Sequence, residues 1–195
     1  MHVTPVTLVG RVVRLEPLSL EHVPGLSRVG LEDEIWRYMR YGWVRTEAQM
    51  RQWVEELLRL QERGSDLPFA VVHLESGEPI GATRYLEIRP QDRAVEIGGT
   101  WYGVSYQRTA VNTECKYLLL SHAFERLGCI RVQFKTDLRN ERSQVALERL
   151  GAVKEGVLRK HMILPDGAVR DSVYYSIIDS EWPEVKRRLE VMLGR

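Results

Sequence analysis

Two short passages hold residues whose types and spacing could do chemistry. The first is Ser105-Tyr106-Gln107-Arg108-Thr109-Ala110-Val111-Asn112, a polar loop between an alternating strand pattern and a long helix pattern. A helix N-terminus carries unpaired amide N–H groups and the positive end of the helix dipole, so it is a ready seat for a phosphate. Gln107 and Arg108 would add donors and charge beside it. No Gly-Lys-Ser/Thr follows, so the loop is not a P-loop, and no GxGxxG marks a dinucleotide site. The plainer reading is an ordinary capped helix after a strand. The second passage is Phe134-Lys135-Thr136-Asp137-Leu138-Arg139-Asn140-Glu141-Arg142-Ser143. There a strand pattern ends and a helix begins, with Asn140 and Ser143 spaced to face the same side of its first turn. Simple N-capping by Asn140 is the commoner meaning of that pattern.

The elements that must position these passages follow from hydrophobic period. Strand patterns cover Gly10 to Leu18, Phe69 to Leu74, Ile80 to Ile88 and Val95 to Tyr102. The pair Gly98-Gly99 inside the last of these signals a bulge or a close backbone approach. Further strands run over Ile130 to Thr136, about Ala152 to Leu164, and Val169 to Ile178. Short helices are expected over Glu21 to Arg28 and Glu32 to Arg40. The clearest helix is Glu47 to Arg63, where Met50, Trp53, Val54, Leu57 and Leu58 form one apolar stripe. Thr46 and Gln49 have the spacing of a capping box there. Helices over Asn112 to Leu127, Asn140 to Leu150 and Glu181 to Leu193, the last with Ser180 as N-cap, complete the set. Strands interleaved with helices predict a mixed sheet with helices on both faces.

The composition, 44% hydrophobic and 28% charged over 195 residues, is that of a globular protein. Without a repeat, low-complexity tract or long linker, residues 1–195 read as one domain. Basic residues number 28 and acidic residues 27, a net charge of +1. That balance argues against a protein built to coat nucleic acid or an anionic membrane. No run of about 18 apolar residues and no basic-then-apolar leader is present, so a cytoplasmic protein is expected. Cys115 and Cys129 suit neither a disulfide framework nor a zinc site and read as reduced thiols.

The run VNTECKYLLLSHAFERLGCIRVQFKTDLRNERSQVALERLGAVKEGVLRKHMILPDGAVRDSVYYSII resembles the second half of a GCN5-related N-acetyltransferase (GNAT). Within that superfamily it is similar to the RimJ/RimL branch of ribosomal-protein N-terminal acetyltransferases. The resemblance covers about Arg11 to Leu193. It implies an α/β (α+β) fold with a mixed, mostly antiparallel central sheet, splayed at the middle, and helices on both faces. It implies acetyl-CoA as co-substrate, lying between the strand Thr100 to Val104 and the strand Val132 to Thr136. The pantetheine would pair with backbone near Trp101 and Tyr102, with Val104 at the strand end. The pyrophosphate would sit on amides of Gln107, Arg108, Thr109, Ala110, Val111 and Asn112, with Thr113 following. Lys135 and Thr136 would line the facing strand, Asn140 would bond the pantetheine, and Ser143 would lie near the sulfur. No metal or flavin is implied, and a homodimer fits the family. The family loop reads Gln/Arg-x-x-Gly-x-Gly/Ala, and Gln107, Ala110 and Asn112 stand at its fixed positions. Asn tolerates the left-handed region better than most residues, so this departure bears on cofactor affinity more than on fold.

Direct attack of an amine on a thioester needs a neutral amine, a donor for the developing oxyanion, alignment, and a proton for the thiolate. A chain α-amine has a pKa of about 7.7–8.0, so a weak base is enough. Glu96, on the opposite side of its strand from Val95 and Ile97, is the first candidate base. Its plainer reading is a solvated or salt-bridged carboxylate. His161 is the second candidate, against a packing or surface role. His122, in an apolar helix, reads as partly buried. Ser143 is the candidate proton donor to the thiolate, against a local helix hydrogen bond. A backbone N–H near Trp101 or Tyr102 would meet the oxyanion. Cys115 has no activating base beside it and is a poor nucleophile.

The segment Trp36 to Arg45 holds four aromatics and three arginines with no acid. The resemblance puts this region on one wall of the acceptor site, with Trp36, Arg37, Tyr38, Arg40 and Trp43 as substrate-binding residues. Arg37, Arg40 or Arg45 would then hold negative charge on or near the acceptor. The alternative is aromatics in the core and arginines outside. The leading function is acetyl transfer from acetyl-CoA to a primary amine, either a protein N-terminal α-amine or a small amine or amino acid. A non-catalytic acyl-CoA-binding or assembly domain on the same fold is the alternative from another class. Nucleic-acid binding is disfavoured by charge.

Overall fold

The computed structural model describes residues 1–195. Eight strands form one sheet in the order β1-β2-β3-β4-β5-β6-β8-β7. They are β1 (Leu8–Val9), β2 (Val13–Pro17), β3 (Leu67–His73), β4 (Pro79–Arg89), β5 (Ala94–Tyr102), β6 (Arg131–Asp137), β7 (Val153–Ile163) and β8 (Val169–Ile178). All neighbours are antiparallel except β5 and β6. The expected mixed, mostly antiparallel α/β architecture is present.

The period of two along each strand divides the sheet into two chemically different faces. Val13, Phe69, Tyr85, Ile97, Phe134 and Tyr175 point to one face and form the larger core. There α4 (Ala110–Ser121), α5 (Glu141–Leu150) and α6 (Trp182–Met192) cover them through Cys115, Leu119, Leu150 and Leu189. On the other face α1 (Val23–Val29), α2 (Asp33–Trp36) and α3 (Glu47–Glu62) build a smaller core against β3 and β4. Trp36, Trp53 and Trp101 meet at its centre, with ring centroids 5.5 to 5.9 Å apart. The α3 stripe Met50, Trp53, Val54 and Leu57 is buried as its period requires, while Leu58 is half-buried. Over β6, β8 and the first half of β5 this second face carries Glu96, Gln133, Lys135, Ser172 and Tyr174.

The parallel ladder between β5 and β6 joins Ala94 to Arg131, Val95 to Val132 and Glu96 to Gln133, and then stops. The cause lies on the other side of β5. Ala82 faces Trp101 and Arg84 faces Gly98, so Gly99 and Thr100 together oppose Thr83. This is the bulge that the paired glycines predict. Gly99 has φ +57°, and a Cβ there would lie 2.9 Å from Arg84 Nε. The extra residue bends β5, and beyond it the strand runs free of β6.

Helix α4 is tied to the sheet by one carboxylate. Glu114 is buried and accepts backbone N–H bonds from Arg11 (3.0 Å), Val12 (2.6 Å) and Val13 (2.9 Å), and it also meets Arg195. Burial alone would raise its pKa, but these donors hold it below the ordinary carboxylate value.

Several boundaries differ from the sequence reading. The helix expected over Glu32 to Arg40 is only Asp33–Trp36. Ile35 and Trp36 are buried at its end, and the chain continues as a loop with Gly42 at φ +78°. Helix α4 starts at Ala110 rather than Asn112, because Thr109 caps it by accepting from the Val111 N–H at 3.3 Å. It gives way at His122–Arg126 to one π-turn. Glu181, not Ser180, is the N-cap of α6. Thr46 accepts from the Gln49 N–H at 3.2 Å, but the Gln49 side chain accepts from Arg45, one residue ahead of the cap.

Replacing Glu114 by Ala is expected to lower unfolding free energy by at least about 2 kcal/mol, since several N–H groups lose a charged acceptor; urea denaturation measures it. The folded pKa of Glu114 lies below its unfolded value, so its stabilisation is present above the unfolded pKa and is lost as pH falls through the folded one. Glu114→Gln should therefore show a shallower acid-side loss of stability than wild type.

Candidate active site

Past Glu96 and Gln133, β5 and β6 form the two banks of an open cleft. On the β5 bank Trp101 and Tyr102 are buried in the two cores, so they offer backbone rather than side chains. The Tyr102 hydroxyl donates to Asn112 Oδ1 at 3.2 Å, and the Tyr102 carbonyl accepts from Gln107 Nε2 at 3.1 Å. The strand ends at Tyr102. Val104 therefore lies outside it, exposed in a short 3-10 turn over Val104–Tyr106.

The loop then reverses at Arg108, whose φ is +60°. Ala110, Val111 and Asn112 already have helical geometry, so the tolerance of Asn112 for the left-handed region is not called on. The strained position is Arg108, and Ala110 needs no glycine freedom. No acidic residue stands in the first turn of α4, which leaves the positive end of its dipole unopposed. Val111 and Thr113 turn inward, and Thr113 Oγ1 accepts from Arg149 at 3.1 Å. Arg142 of α5 reaches both Gln107 Oε1 and, at 2.9 Å, Glu34 of α2. It thereby ties the loop, α5 and α2 across the mouth of the cleft.

At the inner end of the cleft Glu96 is 2% exposed. Its Oε2 accepts from Gln133 Nε2 at 2.9 Å, and its Oε1 lies 3.4 Å from Lys135 Nζ. Of the plainer alternatives for Glu96, solvation is absent and an ion pair is present. Lys135 also lies over the Tyr174 ring at 5.7 Å. Thr136 is buried within the β6–β8 ladder. At the outer end of β6, Asn140 caps α5 by accepting from the Ser143 N–H at 3.1 Å. The two residues thus share one turn, as their spacing requires, and Ser143 is half-buried.

His161 comes from β7. Its Nδ1 is 3.0 Å from Ser172 Oγ, which also accepts from Arg170 Nε at 3.0 Å. Burial first, then the charges of Lys135 and Arg170, lower the His161 pKa against an opposing pull from Glu96. Arg170 is 6% exposed and donates to the Tyr38 carbonyl at 3.2 Å, which ties the loop after α2 to β8. His122 stands on the opposite face beside Tyr85, half-buried, with its pKa lowered by burial. Burial pushes the Cys115 thiol up to about 12 and the Cys129 thiol up to about 11, which leaves neither as a nucleophile at neutral pH.

The aromatic and arginine segment divides. Trp36 is packed inside, with its indole N–H on the Gly30 carbonyl at 2.7 Å. Tyr38 is half-buried, while Arg37, Arg40 and Trp43 are exposed. Arg45 lies against Trp43 and is already paired with Asp33 at 2.6 Å. Below Arg40, a buried Arg84 faces Asp66 at 3.1 Å and lies against the Tyr41 ring. Burial raises the Asp66 pKa and pulls that of Arg84 down to about 10. Gln133, Arg142, Arg170, Ser172 and Tyr174 were not among the expected site residues. The period of two along Arg131–Asp137 and Val169–Ile178 carries the signal for all but Arg142.

A sheet that opens at a bulge, with a capped helix beside the opening and a buried carboxylate at its end, has known counterparts. Residues 13–153 match the family model described as the acetyltransferase (GNAT) domain. The chain belongs to the GNAT acetyltransferase family. Among curated relatives of this GNAT domain, ribosomal-protein-serine acetyltransferase of Escherichia coli (strain K12) is 25% identical over 176 residues, 89% of this chain and 97% of that protein. Among solved structures, a GCN5-related N-acetyltransferase from Brucella melitensis is 30% identical with a TM-score of 0.91, over 98% of this chain and 86% of that one. RimJ of Mycobacterium smegmatis, in complex with CoA-disulfide, is 25% identical with a TM-score of 0.81, over 98% and 96% of the two chains.

In this GNAT site His161 should titrate below an ordinary imidazole and be neutral at pH 7. Removing the nearby cation by Lys135→Met should raise its pKa. A pH titration of the His161 ring signals by NMR checks both directions.

Proposed function

We propose that this acetyltransferase moves an acetyl group from acetyl-CoA to a primary amine, in the cytoplasm, by direct attack in a ternary complex. The observation that carries this reading is Glu96: a buried carboxylate, held by Gln133 and Lys135, at the point where the β5–β6 ladder ends.

The residues present suit acetyl-CoA. Backbone of β5 from Gly99 to Tyr102 runs without a β6 partner and is free to pair with an extended chain. The first turn of α4, with Arg108 and Thr109 beside it, suits a pyrophosphate. Asn140, Ser143, Lys135 and Thr136 line the other bank. When bound, acetyl-CoA supplies a thioester carbon open to an amine.

The chain's own residues then act as follows. Glu96 takes a proton from the attacking nitrogen, directly or through a water. Lys135 and Gln133 hold its two oxygens in place. His161, neutral at pH 7, is a second acceptor on the same face. A β5 backbone N–H near the bulge faces the developing oxyanion. Ser143 orients the sulfur. The acceptor enters on the side of Arg37, Tyr38, Arg40 and Trp43, while Trp36 supports that wall from within.

A protein N-terminal α-amine is the favoured acceptor. The E. coli relative is named for acetylating ribosomal protein, and RimJ is among the structural neighbours. An α-amine is also partly neutral near pH 7, which suits a modest base.

The test is CoA release with a panel of peptide and small amines. Wild type is expected to turn over peptide α-amines. Glu96→Gln should lower kcat by about 10²–10⁴-fold, the usual range for a general base, with acetyl-CoA affinity retained by calorimetry. Acetyl-CoA binding without turnover on any amine would favour the non-catalytic module.

A further inference from the structure

Lys116 of α4 has no role in the reaction as described. Its side chain is 6% exposed. Its Nζ donates to Thr100 Oγ1 at 3.0 Å, and Thr100 belongs to the bulge of β5. Thr100 Oγ1 in turn lies 2.8 Å from Thr83 Oγ1 on β4. The same ammonium sits 5.8 Å from the centroid of Phe134 on β6. One cation therefore touches both banks of the cleft, beyond the end of their ladder. It does so from the α4 face, opposite the face that carries Glu96.

No carboxylate pairs with this ammonium. On α4, Glu114 is turned to the β2 backbone and Arg195. Cys115 is a buried neutral thiol. On β5 the titratable group on this face is Tyr102, a neutral phenol bonded to Asn112, while Glu96 lies on the opposite face. From α5, Arg149 adds a second positive charge at Thr113, one turn away. Phe134 of β6 and Thr83 of β4 carry no charge. Burying an unpaired cation is costly, and burial pulls the Lys116 pKa down to about 8. A cation held there at that cost calls for an anion, and acetyl transfer creates one in the cleft: the departing thiolate.

We infer that Lys116 is the acid that protonates the departing CoA sulfur, from the side of the sheet opposite the general base. This rests on the acetyl-transfer reading above. The amine lone pair forms the C–N bond, and the C–S bond breaks with its electron pair on sulfur. The amine gives one proton to Glu96, and Lys116 Nζ gives one to sulfur. Neutral Lys116 then regains a proton from solvent as Glu96 releases one, so protons balance over the cycle. A serine hydroxyl holds its proton too tightly to do this alone, which leaves Ser143 the orienting role.

The test begins with acetyl-CoA binding and CoA release by wild type. Failure there overturns the transfer reading itself. The Lys116 assignment is then read from the pH dependence of kcat. In wild type, kcat should fall as pH rises through about 8, as the ammonium loses its proton. Lys116→Met should abolish that alkaline fall and lower kcat by about 10²-fold, with the amine KM unchanged. Lys116→Arg keeps the charge but is a far weaker acid, so it should also lose kcat, while its permanent cation lets bound CoA ionise at lower pH than free CoA, read by thiolate absorbance. A wild-type kcat that does not fall through pH 8 overturns the assignment, even if Lys116→Met fails to fold. An unchanged kcat in both variants overturns it equally.

Discussion

The end of the β5–β6 ladder at Glu96 and Gln133 is the constraint on which the rest of the site depends. Two parallel strands that start in register would ordinarily run on together and bury their edges in each other. Here an extra residue at Gly99 and Thr100 bends β5 toward its antiparallel partner β4 and away from β6. The backbone beyond is left with free donors and acceptors inside a folded domain. Such groups demand a partner, and an extended ligand is one that can supply it along the whole edge.

Around that gap the two faces of the sheet divide the work. One is almost wholly apolar and is closed by α4, α5 and α6. The other is apolar where α1, α2 and α3 cover it, and beside that core, on β4, β5, β6 and β8, it carries buried charge. Glu96 with Lys135 and Arg84 with Asp66 add little to net stability, because desolvation offsets their attraction, and Arg170 is buried without a carboxylate partner. Packing does not explain why they gather on one face, since apolar side chains would fill the same space at lower cost. The loop after α2 reaches the same face through the bond from Arg170 to the Tyr38 carbonyl.

Helix α4 belongs to the packed face and yet reaches the gap. Glu114 pins it to the start of β2, which fixes where its N-terminus stands relative to the cleft. Lys116, two residues on, reaches under the gap. A helix anchored by one buried charge thus presents another to the centre of the molecule. The π-turn after Ser121 lets the chain leave α4 and enter β6 beside β5.

Hydrophobic period was enough to read the long elements. The α3 stripe, the alternation in β6 and β8, and the bulge at Gly98-Gly99 are local patterns, set by 3.6-fold and two-fold repeats that each segment carries alone. The acetyltransferase family was legible for the same reason, since its residues lie in one continuous run. Boundaries at α2, α4 and α6 were not legible, because competing caps a residue or two apart have similar intrinsic strength and packing chooses between them. The loop departure at Ala110 and Asn112 looked like a demand on backbone freedom until the structure moved the left-handed residue to Arg108. Whether Glu96 was solvated or buried, which arginines were already neutralised, and that Lys116 meets Thr100 and Phe134 were decided only in three dimensions. Burial and pairing arise from segments far apart in the chain, and no single segment carries that information.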